Sequence, residues 1–357
     1  MRRIDGVLLL LVIGLVLFGL LMIYDASSVI AFRDFGDKFH YIKDQFIWAI
    51  LGIILLFIFS KINYHLFFNI SLILLVAAII LLILVFIPGI GQHELGASRW
   101  INLHFTSLQP AEFVKLALAI YLAAWFSQKE KGRFMAFCLL IGLVMVLVMV
   151  QPDMGTASII LIEALAIYFL SGGSLKYFYM VIPGIIALGL VLIALAPYRL
   201  ARLTAFLAVD QSVSNASYHL KQVLIALGSG GIFGLGLGNS LQKYAYLPEN
   251  VTDSIFAIIA EELGLIGCIV LIAVFMLVIW RGFYIASHAK DMFGKLLAGG
   301  IIIFIGIQVV INLGSMTALF PLTGVPLPFI SYGGSALLID LAAIGILLNV
   351  SGSVEKR

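Results

Sequence analysis

Apolar residues run almost without interruption for 15 to 27 positions at a time along this chain, and charged or turn-forming residues bound each run. A helix rising 1.5 Å per residue needs about 20 residues to cross about 30 Å of hydrocarbon, so these runs predict membrane-spanning helices. Ten are predicted, at 6–24, 46–60, 66–87, 110–126, 134–150, 154–170, 177–196, 254–280, 296–313 and 335–350. Several are shorter than about 20 residues, so flanking polar residues are expected to extend them. An even count puts both termini on one side.

Composition agrees. The chain is 63% hydrophobic and 11% charged with a mean hydropathy of +1.17, whereas soluble domains run about 45–50% apolar and about 25% charged. The expected fold class is therefore all-α integral membrane, with residues 1–357 forming a single polytopic membrane domain. Of the 21 Lys and Arg, twelve fall on the side of the termini (Arg2, Arg3, Lys61, Lys129, Lys131, Arg133, Lys176, Arg281, Lys290, Lys295, Lys356 and Arg357) against eight on the other. By the positive-inside rule both termini are cytoplasmic. No small-residue cleavage site precedes Tyr24, so the first apolar run is kept as a span. A net charge of +3 spread through loops gives no case for nucleic-acid binding. Cys138 and Cys268 lie in apolar runs and read as small buried hydrophobes.

Three connections on the outer side are long: 88–109, 197–253 (the large extracytoplasmic loop between spans 7 and 8) and 316–330. Within the second, 219–227 (HLKQVLIAL) predicts a short amphipathic helix, and Gly228, Gly230, Gly231, Gly234, Gly236 and Gly238 follow it. The third holds Pro321, Pro326 and Pro328 and predicts a non-helical or re-entrant segment. Irregular backbone at membrane depth is tolerated only where protein buries it or it lines a cavity, so these connections are expected to roof an outward-facing cavity.

Ionisable residues within spans are costly and call for partners or functions. Glu112 and Lys115 are spaced i, i+3 after Pro110 and read either as an internal ion pair or as a pair with Lys115 facing a cavity. Asp153 opens the sixth span as a helix cap or a site residue. Glu163 and Asp340, with no evident sequence partner, are read as pairing across helices or marking a pathway. Glu261 and Glu262 read as brackets between helices. Arg199 and Arg202, also i, i+3, offer either a fork for a diphosphate or an interfacial anchor. Gly234, Gly236 and Gly238 resemble a phosphate cradle only loosely. Asp253 ends the longest loop at the rim of the eighth span. Its reading stays open between a helix cap, with lowered proton affinity, and a half-buried general base.

Several stretches together resemble the SEDS family (shape, elongation, division and sporulation): 97–102 (ASRWIN), 109–115 (QPAEFVK), 151–156 (QPDMGT), 198–202 (YRLAR), 234–239 (GLGLGN), 247–253 (LPENVTD), 261–264 (EELG) and 326–335 (PLPFISYGGS). The stretches 242–248 and 322–326 are more similar to the division-type branch, FtsW, than to the elongation type, RodA.

The resemblance implies a bacterial peptidoglycan glycosyltransferase that joins lipid II, the undecaprenyl-linked disaccharide-pentapeptide, into glycan strands at the outer face of the cytoplasmic membrane, for division or elongation. It implies Asp253 as catalytic residue and Arg99, Lys115, Asp153, Arg199, Arg202, Glu249 and Ser331 as substrate-binding residues. The implied partners are a class B penicillin-binding protein, which crosslinks the strands, and other divisome or elongasome membrane proteins. No cofactor is required with certainty, although a divalent cation, magnesium or manganese, would suit a diphosphate leaving group. A transporter or flippase for the same lipid is the alternative, since intramembrane charges around a cavity serve it equally. Departures from the family pattern are Ser254 in place of an aromatic, Val251 in place of a histidine, Ala245 in place of a glutamate, Asp340 in place of an asparagine, and the 210–218 run DQSVSNASY.

Overall fold

The computed structural model describes residues 4–94, 97–102, 107–128, 132–207, 215–244 and 247–353. Arg2, Arg3, Lys129, Lys131, Ala245, Lys356, Arg357 and the 210–214 part of the departing loop lie outside the described residues. Three helices open the chain: α1 (Gly6–Phe35), α2 (His40–Lys61) and α3 (His65–Leu84). Next come α4 (Pro110–Ser127), α5 (Phe134–Val150), α6 (Met154–Leu170) and α7 (Leu175–Ala194). Two shorter helices, α8 (Pro197–Leu207) and α9 (Asn215–Ser229), lead to α10 (Ile255–His288), α11 (Met292–Met316) and α12 (Gly334–Ser351).

Each expected apolar run overlaps a helix. Among the described residues seven helices, α1 to α4 and α10 to α12, are long and apolar enough to cross a membrane. The helices α5 and α6 are apolar but only 17 residues each, and α7 meets α8 at a bend of 99° that raises the number to eight if the pair is one span.

Burial separates centre from periphery. About three quarters of the apolar windows of α4, α11 and α12 are buried (72%, 72% and 78%), against 28% for α2, α3 and α10, whose Ile47, Ile73 and Ile269 face outward. The central helices therefore carry the protein's packing and the outer ones its lipid contact. Small residues allow the close approach of α2 and α12: a Cβ on Gly345 would lie 2.6 Å from the Leu56 carbonyl oxygen, and one on Gly52 2.6 Å from Leu341.

The connection 88–109 corrects the all-α expectation. It folds as a three-stranded antiparallel sheet, β1 (Gly91–Glu94), β2 (Ala97–Asn102) and β3 (Ser107–Leu108), in the order β1-β2-β3. Ile101 pairs with Gly91 on one side and Leu108 on the other. Strands this short hide easily between long apolar segments, and here they set Arg99 on the central strand.

The glycine-rich stretch is not a phosphate cradle. Gly264 leaves helical geometry (φ 67°, ψ −167°) inside α10, and the stretch fills the resulting break. The Leu235 and Gly236 N–H groups donate to the Glu261 and Glu262 carbonyls (both 3.0 Å), while the Leu265 and Ile266 N–H groups donate to Gly231 and Ile232 (3.0 and 3.2 Å). The backbone groups freed by the break are thus satisfied by protein, as a buried helix interruption requires. Glycine is needed on both sides, because a Cβ on Gly234 would lie 2.1 Å from the Glu262 carbonyl oxygen and one on Gly264 2.3 Å from the Gly234 nitrogen.

Glu261 and Glu262 bracket this loop rather than two helices. Glu261 accepts from the Ser240 hydroxyl and from the Leu241 and Gln242 N–H groups, and Glu262 accepts from Ser240 N–H and Lys243 Nζ (3.1 and 2.9 Å). Lys243 reaches on to Asp25 of α1 at 3.0 Å, which joins the loop to two helices through one buried cation.

Candidate active site

The 247–254 turn delivers Asp253 to the mouth of α10. Glu249 adopts a left-handed conformation (φ 50°), and its carbonyl accepts from the Thr252 and Ser254 N–H groups (3.2 and 3.1 Å). Neighbouring elements hold the turn from three directions. Asn250 Nδ2 donates to the Ala26 carbonyl of α1 (3.1 Å), Tyr332 N–H to the Val251 carbonyl (2.8 Å), and Asn312 Nδ2 of α11 to the carbonyls of Asp253 and Val325 (both 2.8 Å). The last pair ties the turn to the non-helical segment after α11, where Leu322, Val325, Leu327, Phe329 and Ile330 are buried.

Asp253 is 7% exposed. Its Oδ1 receives a long bond from the Thr252 hydroxyl (3.4 Å), while Oδ2 has no protein partner among the described residues. Gly324 stands near it: a Cβ built there would lie 4.0 Å from Oδ2, an ordinary van der Waals distance. Burial, reinforced by the negative charge of Glu249, pushes the Asp253 carboxyl up from its ordinary 3.8 to about 7, against the opposing pull of Arg202 and Thr252. The helix-cap reading predicted the opposite direction, so desolvation outweighs the helix terminus here.

Arg202 of α8 is exposed and donates through Nη1 to the Leu322 carbonyl (3.1 Å), which sets it beside the same segment. His219 of α9 completes this side: its Nε2 lies 2.7 Å from Ser254 Oγ, and burial together with the Arg202 charge pushes the ring down from 6.5 to about 4. The amphipathic pattern explains the placement of α9, since Ser217, Leu220, Val223 and Ala226 form one buried stripe.

Arg99 and Asp153 form a neighbouring group. Arg99 Nε donates to the Gln151 carbonyl (3.0 Å) and its Nη2 to that of Pro152. Asp153 caps α6 through Thr156 N–H (3.0 Å) and also accepts from Thr156 Oγ1 (2.8 Å) and Gln109 Nε2 (3.2 Å). Gly155 joins this group to the Asp253 side, because it packs so closely on the 323–325 segment that a Cβ would lie 2.9 Å from the Thr323 carbonyl oxygen.

Other expected site residues are placed differently. Lys115 is fully buried with Glu112 at 2.7 Å, so the internal ion pair is present. Glu163 and Asp340 lie within electrostatic reach of Lys115, yet their carboxylate oxygens have no hydrogen-bond partner among the described residues, which replaces the expected cross-helix pairing. Arg199 donates to the Leu192 carbonyl of α7 (3.0 Å), whereas Arg202 donates to that of Leu322, so the two guanidiniums are steered by different elements. Ser331 is buried and its hydroxyl accepts from the Leu327 N–H (2.8 Å), an intra-turn contact.

A family model described as "Cell cycle protein", covering FtsW, RodA and SpoVE, matches residues 6–356. The chain belongs to this SEDS family. It is 42% identical to stage V sporulation protein E of Bacillus subtilis over 97% of this chain and 96% of that protein. It is also 42% identical to a probable peptidoglycan glycosyltransferase FtsW of Coxiella burnetii, over 99% of this chain and 97% of that protein. Among solved structures it superposes on Thermus thermophilus RodA with a TM-score of 0.74 at 26% identity, covering 99% of each chain. A chain of a peptidoglycan synthase complex that coordinates polymerization and crosslinking gives a TM-score of 0.78 at 27% identity, covering 98% of each.

As a SEDS protein it is therefore a multi-pass membrane protein of the FtsW and SpoVE kind, with a fold shared with RodA. Sequence reasoning missed His219, Asn312 and Gly324. The histidine opened a predicted amphipathic helix and the asparagine lay inside an apolar span, signals that were available, whereas the role of Gly324 depends on the approach of a distant carboxylate.

Proposed function

We propose that this chain is a peptidoglycan glycosyltransferase that polymerises lipid II at the outer face of the cytoplasmic membrane. The observation that carries the reading is the buried Asp253 carboxylate at the mouth of α10, whose Oδ2 has no protein partner among the described residues; burial, which raises its proton affinity, supports the same role. The names of its FtsW relatives and the likeness to the synthase-complex chain support the same class.

The proposed topology has ten spans, with α5, α6 and the bent α7 included, both termini cytoplasmic, and 197–253 extracytoplasmic. Asp253 then lies at the outer rim, where the sugars of lipid II project. The acceptor sugar's 4-hydroxyl attacks the donor's anomeric carbon as Asp253 takes the hydroxyl proton, a new glycosidic bond forms, and the bond to undecaprenyl diphosphate breaks. Attack opposite the leaving group inverts that carbon. Arg202, the exposed cation of the rim, is suited to the charge that grows on the departing diphosphate. Arg99 and Asp153 support the floor through the α6 terminus, and Glu249 sets the polarity around the base.

No group of three or more His, Cys, Asp or Glu that could hold a metal occurs among the described residues. The described residues thus offer no cage of such donors, and a divalent cation held among them would take most of its shell from substrate phosphates. A class B penicillin-binding protein is the proposed partner, because a polymerase of uncrosslinked strands needs a crosslinking activity beside it.

The test is polymerisation of purified lipid II by the reconstituted protein with its cognate transpeptidase. Long strands from wild type and Glu163→Ala, and none from folded Asp253→Ala, are expected. Polymer from Asp253→Ala overturns the base; loss of lipid II transfer across vesicles in Glu163→Ala, with no polymer from any variant, replaces the reading with the flippase.

A further inference from the structure

His219 is a polar ring held at the edge of the Asp253 site by a single contact. Its Nε2 lies 2.7 Å from Ser254 Oγ, the hydroxyl next in sequence to the base, and Nδ1 has no protein partner among the described residues. The side chain is neither a core residue nor a free surface one: α9 buries Leu220 and Val223 beside it, while the ring itself stays partly accessible.

The Arg202 charge acts on both His219 and Asp253. Arg202 is itself steered by the Leu322 carbonyl, at the start of the segment whose Gly324 faces Asp253. Three elements, α8, α9 and the 247–254 turn, thus bring one cation, one imidazole and one carboxylate to a common mouth.

An imidazole beside an arginine is kept neutral when the mouth is empty, as burial and like charge both require. The 2.7 Å contact is open to either direction; in the tautomer where the Ser254 hydroxyl donates to Nε2, the ring's one proton resides on Nδ1, which is then a hydrogen-bond donor with no protein acceptor among the described residues. Donors in that position suit an anion, and a diphosphate brings enough negative charge to reverse the local field and favour the ring's N–H groups further.

We infer that His219 is a ligand-binding residue of this site, which donates through Nδ1 to the diphosphate of a bound polyprenyl-linked sugar, with Ser254 fixing the ring and Arg202 as its charged companion. The inference rests on the glycosyltransferase reading for the identity of the ligand, but its test does not depend on turnover.

Wild type, His219→Gln, His219→Ala, Ser254→Ala and Asp253→Asn are purified with thermal midpoints measured, and each is titrated with farnesyl diphosphate as a headgroup probe. Glutamine can keep the bond to Ser254 but cannot replace the second ring nitrogen, so bracing and binding separate. Both His219 variants are expected to bind the probe about tenfold more weakly, about 1.4 kcal/mol, with His219→Gln melting like wild type. In polymerisation the same variants raise KM about tenfold and leave kcat within about threefold. Ser254→Ala falls between, and Asp253→Asn binds the probe while making no polymer. Wild-type probe affinity and KM in His219→Gln overturn the inference, as does a loss in His219→Ala confined to its melting midpoint. Polymer from Asp253→Asn overturns the base assignment instead, and the probe titration still judges His219.

Discussion

Asn312 spans the active-site mouth with a single amide nitrogen, donating at 2.8 Å to the Asp253 carbonyl and at 2.8 Å to that of Val325. The side chain is fully buried, so its removal leaves two desolvated carbonyls without donors. Asn312→Leu is expected to cost about 2–4 kcal/mol of stability, at about 1–2 per orphaned carbonyl. Because one of the carbonyls belongs to Asp253, activity falls further than stability explains. At a temperature where the variant remains folded, kcat drops at least about tenfold, the scale on which misplaced catalytic groups act. Equal kcat in folded variant and wild type would show that Asn312 only stabilises.

The raised proton affinity of Asp253 fixes two pH responses. As base it works deprotonated, so kcat/KM rises with pH and levels off above about 7. Stability runs the other way. The folded state holds this proton more tightly than the unfolded chain, so the contribution is fully present below about 4, is lost as pH climbs through about 7, and stays lost above it. The gap amounts to a few kcal/mol, on the order of 4 at 1.4 per pH unit. Asp253→Asn therefore melts higher than wild type at pH 8 and no higher at pH 4, as differential scanning in detergent checks.

Lys243 carries the junction of the outer loop with α1 and α10. It lies 3.0 Å from Asp25 and 2.9 Å from Glu262, and both Lys243 and Glu262 are buried. Removing the shared cation strands a buried carboxylate, which typically costs about 3–5 kcal/mol. Lys243→Met is expected to lower the thermal midpoint sharply, and the double change Lys243→Met with Glu262→Gln to recover part of the loss. An additive double variant would mean that the two residues do not act on each other.

The helices were legible because hydrocarbon demands long apolar runs, and the place of Asp253 was legible because its polar turn ends where such a run begins, whereas its role as base came from the family resemblance alone. What escaped depended on distant approach. The sheet over 88–109 arises from pairing between short segments, with Ile101 flanked by Gly91 and Leu108, and no periodicity of its own announces it. The direction of the Asp253 shift required knowing that Glu249 and apolar walls surround it, since its sequence position alone argued for a cap. Glu163 and Asp340 were visible as intramembrane carboxylates, but whether they paired could be decided only by the faces their helices turn to each other. The glycines of 230–238 were conspicuous, yet their purpose lay in Gly264, 26 residues beyond Gly238.

That purpose gives the sharpest steric expectation. Gly264 has φ 67° and ψ −167°, a region that side-chain-bearing residues avoid, and a Cβ there would meet the Gly234 nitrogen at 2.3 Å and the Ile232 carbonyl oxygen at 2.6 Å. Backbone cannot give way as a flexible side chain can. In Gly264→Ala, either α10 closes into a continuous helix or the 230–238 stretch withdraws from it, and both break the four backbone bonds that bridge them. The loop so released also carries Ser240 and Lys243, whose contacts to Glu261 and Glu262 hold the approach to the 247–254 turn. Gly264→Ala is therefore expected to lose polymerisation altogether while α-helix content by circular dichroism stays near wild type. Hydrogen exchange is expected to rise at Leu235, Gly236, Leu265 and Ile266, the four donors of the bridge. Unchanged protection at those amides would mean that α10 accepts a side chain at its break.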